Sequence, residues 1–251
     1  MSEEEAKPGI QIPIDLKKLS EVDAEEILSK IYGSALDGIP KVSRSVEEMV
    51  NDYVSKSDTP KDAALMLAQT QVIKCGTSGF ITGLGGLITL PVAIPANIGS
   101  VLYVQMRMVA AIAQIGGYDI RSDQVQTMVY LCLTGSALKD VVKQVGIKFG
   151  EKTLEAAIKK IPGKALVAIN QRIGYRLLTK FGEKGLINLG KVIPLVGGVI
   201  GGGLDVVYTQ VIAKNAINMF INNITPDGSK PTEAELQQIK SLEVTDKSEL
   251  I

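Results

Sequence analysis

One stretch constrains this chain more than any other: GFITGLGGLITLPVAIPANIG, residues 79–99. It lies inside a run of 31 residues, Cys75 to Gln105, that carries no charge. A helix that crosses a bilayer needs about 20 mostly apolar residues, so the length suffices. Pro91 and Pro95 intervene. Each lacks an amide proton and clashes with the preceding helical turn, so a helix should end near Thr89 and another begin at or just after Pro95. The run becomes two arms of a hairpin over 75–118. Gln69, Thr70, Gln71, Thr77, Ser78 and Thr82 dilute the first arm. A second apolar block, Val192 to Leu204, has 13 residues before Asp205 and is short for a span. With 45% hydrophobic residues, the chain can build a substantial core, and these segments read first as that core. Insertion as a hairpin is the alternative.

The glycines suggest two chemistries, and one fails. A phosphate-cradling loop needs a strand before it or a Lys-Ser/Thr after it. Gly83, Gly85 and Gly86 have neither, and no lysine follows until Lys139. Close helix packing fits better. Gly79 with Gly83, Gly197 with Gly201, and Gly198 with Gly202 are G-x-x-x-G pairs, and Ala96 with Ser100 is a small-residue pair of the same spacing. Absent side chains let helix axes approach.

Helical signals cover Ser20–Tyr32 and Val42–Val54, punctuated by Gly33, Gly38 and Pro40. Thr59 as cap, Pro60 at the first helical position and Asp62 in the first turn open a third helix. Pro95 precedes a helix that Gly116 and Gly117 stop, and Ser122 and Asp123 open the next. Weaker amphipathic segments span 148–161 and 164–183, and a last long helix follows Pro194. No period-2 alternation bounded by hairpin turns occurs. The expected fold is all-α, a compact multi-helix domain around the glycine-rich apolar hairpin. The expected divisions are a disordered acidic segment at 1–19, a helical extension at 20–59, the main helical domain at 60–223, and a polar tail with one short helix at 224–251. An I-T-L-P with glycines upstream and a V-I-P-L-V-G-G with glycines downstream echo each other weakly.

Net charge is zero, yet its distribution is uneven: residues 1–62 carry −6, 63–223 carry +9 and 224–251 carry −3. Between Lys139 and Lys191 stand 12 basic and 4 acidic residues. Arg172, Arg176, Lys180 and Lys184 recur every four residues, opposite Ile169, Ile173, Leu177 and Phe181, which describes a basic amphipathic helix. A solvated surface needs no more than this. The functional reading is contact with anionic membrane lipid, or with an unidentified protein partner. Nucleic acid is not expected, because Tyr175 alone makes no stacking surface. Homo-oligomers remain open.

The chain has no His, which removes the commonest general base and metal ligand. Cys75 and Cys132 stand alone in apolar surroundings and read as reduced core residues. No catalytic, cofactor or metal constellation emerges, so the expectation leans away from an enzyme. Arg107, Asp119 and Asp205 are candidate buried charges, with Arg107–Asp119 or Arg107–Asp205 as pairings. The N-terminus lacks the apolar run of a secretory signal, so a cytoplasmic protein, peripheral to the inner membrane face, is expected.

TGLGGLITLPVAIPANIGSVLYVQMRMVAAIAQIGGYD at 82–119 resembles the glycine-rich core segment of the EcsC family of bacterial proteins. PLVGGVIGGGLDVVYTQVIAKNAI at 194–217 is similar to that family's second glycine motif, although relatives often have Asn near the place of Asp205. The resemblance covers 60–223. It implies a bacterial, helical, membrane-associated protein linked to an ABC transporter, and supplies no catalytic residues.

Overall fold

A computed structural model describes residues 19–40, 42–76, 96–135, 162–181, 203–224 and 232. Among them are seven helices and no strand: α1 (Glu21–Asp37), α2 (Val46–Ser55), α3 (Pro60–Gly76), α4 (Ala96–Ile115), α5 (Asp123–Leu133), α6 (Gly163–Phe181) and α7 (Gly203–Phe220). The protein is all-α and compactly packed. The glycine-rich heart of the hairpin, with Gly79 and Gly83, lies outside the described residues, as do Gly197, Gly198, Gly201 and Gly202.

Side chains write most helix starts. Ser20 and Asp23 form a reciprocal capping box at α1, with bonds of 3.1 and 3.2 Å, and Ser45 with Glu48 repeats it at α2. Thr59 Oγ1 accepts from the Asp62 amide at 3.1 Å and opens α3 as the sequence suggests. Helix α1 continues through Gly33 because a lone helical glycine costs only about 1 kcal/mol. It ends instead at Gly38, whose φ of +78° suits glycine alone and whose absent Cβ leaves room for the Ser43 carbonyl.

Helix α4 is the axle. From Val101 to Ala113 every residue is buried, the mark of a helix surrounded on all sides, and α1, α2, α3, α5 and α7 all pack on it. Its polar residues Gln105 and Arg107 sit inside this packing. No described helix is long and apolar enough to cross a membrane.

Helices α4 and α7 run parallel and in step. Gln105 Nε2 donates to Thr209 Oγ1 at 3.0 Å, the ends meet where Gly116 faces the Phe220 carbonyl, and Tyr118 bonds Asn223 just beyond. A Cβ on Gly116 would overlap that carbonyl. Gly116→Ala is therefore expected to cost about 2–3 kcal/mol, and thermal unfolding should shift down by about 5–10 °C. Gly33 has nothing within 4 Å of the position a Cβ would take. Gly33→Ala should raise stability by about 0.5–1 kcal/mol. The opposite signs, read by calorimetry, check the two sites together.

Helix α6 is peripheral, resting on α1 and α5. Gly174 permits its contact with α1: a Cβ there would stand 3.0 Å from the Ala24 carbonyl oxygen. Leu166, Ile169, Ile173, Leu177 and Leu178 point inward. Cys75 and Cys132 are buried thiols.

Candidate functional site

Two places carry the charges that the sequence singles out. The first is the outer surface of α6. Residues 164, 168, 172 and 175 share one side of a helix with 3.6 residues per turn, and Lys164, Ala168, Arg172 and Tyr175 are all exposed. Val167 flanks them. Val167 is 49% and Tyr175 39% exposed. Apolar and aromatic groups thus stand in solvent between two cations.

Arg176 does not stand with Arg172. A step of four residues turns a helix about 40° past a full circle, so a four-membered series winds away from its starting face. Arg172 is exposed and Arg176 half-buried, close enough to Tyr208 for its charge to act on that phenol. Lys180 belongs to α6, but its side chain and all of Lys184 lie outside the described residues. The members that the four-residue rhythm passed over are Lys164, Val167 and Tyr175. Their common helical angle is the signal that finds them.

Pairing separates this face from the rest of the surface. Lys30, Arg44, Lys56 and Arg121 each meet a carboxylate, at 2.6, 3.6, 3.1 and 2.7 Å. Lys164, Arg172 and Arg176 have no carboxylate within 4.0 Å among the described residues. These cations are available to an external anion.

The second place is Arg107, only 6% exposed. Its Nη1 donates to the Ala35 carbonyl at 3.0 Å and to the Tyr103 hydroxyl at 3.3 Å, and Nη2 lies 3.8 Å from Met49 Sδ. The Tyr103 hydroxyl also bonds Ser43 Oγ, which accepts from the Ile39 amide at 3.0 Å. Burial lowers the pKa of Arg107, and Tyr103 opposes the shift. Among the described residues no carboxylate pairs with it. Its counter-charge is the C-terminal end of α1, where unsatisfied carbonyls gather a partial negative charge.

Asp119 is corrected accordingly: it is exposed, in the turn between α4 and α5, where its carboxylate accepts from the Arg121 amide at 3.0 Å. A carboxylate in that turn keeps its hydration without any need of Arg107. Asp205 belongs to α7, and its side chain lies outside the described residues. Among the described residues, no three His, Cys, Asp or Glu side chains gather as a metal site.

Residues 30–221 match the EcsC protein family. The match begins inside α1, so α2 falls within it along with the later helices. No curated protein and no solved structure gives a significant match.

Proposed function

This chain belongs to the EcsC protein family, and we propose that it associates peripherally with an anionic membrane surface through the outward face of α6. The carrying observation is that face itself: Val167 and Tyr175 exposed between Lys164 and Arg172, with no carboxylate paired to either cation. An interfacial helix works in this way. Apolar groups enter the headgroup boundary while basic groups meet lipid phosphates, each worth about 1 kcal/mol near the surface. Aromatic rings with a polar tip favour the same depth. The uncharged stretch 77–95 supplies further apolar contact in this reading, and the setting is the cytoplasmic face of the cell membrane.

Flotation with anionic and neutral vesicles tests it. The protein should float with anionic vesicles at low salt and less so as ionic strength rises. Lys164→Gln with Arg172→Gln should weaken anionic binding by about 25-fold, the product of two such contacts. Equal binding to neutral vesicles, or none to either, would sink the proposal. In the latter case, retention of the protein in a salt-resistant complex from cell extracts would favour the second reading, a helical module that docks on a protein through Val167 and Tyr175.

A further inference from the structure

We propose that residues 1–18 fold back over the outward face of α6 and compete with the anionic surface for it. This regulation rests on the membrane reading above, although the intramolecular contact can be tested without lipid. The segment reads MSEEEAKPGIQIPIDLKK. Glu3, Glu4 and Glu5 supply three adjacent carboxylates. Ile10, Ile12 and Ile14 alternate, so an extended chain presents all three on one side. The face offers the complement: unpaired Lys164 and Arg172, and exposed Val167 and Tyr175.

Chain geometry puts the two together. Helix α1 meets α6 at Gly174, where the Ala24 carbonyl approaches most closely. Leu19, five residues earlier, is buried in the core, so the chain upstream of it departs beside α6. At about 3.3 Å per residue, the three isoleucines lie about 15–30 Å of extended chain from Leu19. Val167 and Tyr175 are about 12 Å apart along the helix axis. Reach is ample for the carboxylates as well. The acidic stretch 225–251 starts elsewhere: the Ile224 amide is tied to the Asn218 carbonyl, and neighbouring Asn223 bonds Tyr118 beside the α4–α5 turn.

The test uses the full chain with Ala168→Cys, an exposed position within the face, while native Cys75 and Cys132 stay buried. Thiol modification of this variant without lipid should accelerate several-fold when Glu3, Glu4 and Glu5 become Gln and Ile10, Ile12 and Ile14 become Ser. An unchanged rate overturns the proposal. So does acceleration only when the carboxylates of 225–251 are neutralised, or shielding that appears only at high protein concentration, which assigns the cover to a second copy. The substituted protein should also bind anionic vesicles several-fold more tightly. If modification accelerates but neither protein binds vesicles, the membrane reading fails and the fold-back contact stands.

Discussion

Above pH 10 the protein is expected to lose stability at about 4 kcal/mol per pH unit. The cause is three interior phenols. Tyr32 donates to the Ile120 carbonyl at 2.7 Å, Tyr208 to the Leu133 carbonyl at 2.7 Å, and the Tyr130 hydroxyl accepts from Gln126 at 2.6 Å. Burial pushes all three pKa values well above the ordinary tyrosine value. In the unfolded chain tyrosines ionise near pH 10, while the folded phenols hold their protons. The unfolded state then binds fewer protons, so unfolding becomes easier as pH rises. The stability that the neutral phenols contribute is complete below pH 10 and is lost as pH climbs towards the raised folded values. Each phenol contributes about 1.4 kcal/mol per unit. Cys132, also raised by burial, acts in the same direction from about pH 8.5. Urea unfolding followed by circular dichroism between pH 8 and 11.5 measures the slope. Tyr208→Phe should reduce it by about 1.4 kcal/mol per unit. A flat profile to pH 11 would mean that these phenols are open to solvent.

Arg107 carries the second large expectation. Arg107→Ala should cost about 3–5 kcal/mol, since it removes a large interior side chain and leaves space behind. Arg107→Met keeps most of the volume and isolates the loss of the cation. It leaves the Ala35 carbonyl without its donor, a cost of about 1–3 kcal/mol, and removes the charge that complements the end of α1. Relief from holding a cation out of water offsets part of this. Equilibrium denaturation of both variants separates the terms. A neutral Arg107→Met would show that the cation does not hold the end of α1.

The local punctuation of the fold was legible in the sequence. Thr59, Pro60 and Asp62 mark the start of α3, Ser122 that of α5, and Gly116 with Gly117 the stop of α4, because caps and breakers act within a few residues of themselves. Gly33 misled, since a glycine ends a helix only where the chain must turn left-handed, and that place is Gly38. Arg107 was recognisable as an interior charge, but its partner was not. Main-chain carbonyls are present at every residue and leave no mark in the composition. On α6 the buried stripe was plain, whereas the outward face was blurred by counting in fours. Whether Arg172 and Arg176 share an environment depends on α1 and α5, which only packing reveals.

The parallel course of α4 and α7 has a consequence for the newly made chain. Parallel neighbours cannot be joined by a hairpin, and here Gln105 waits for Thr209. At about 5–20 residues per second, roughly 5–20 s of synthesis separate the two. Through that interval the side of α4 that α7 will cover has no partner, and the polar amide of Gln105 lies in the middle of it. The slowest-arriving helix therefore closes the core last, and the ribosome sets its schedule.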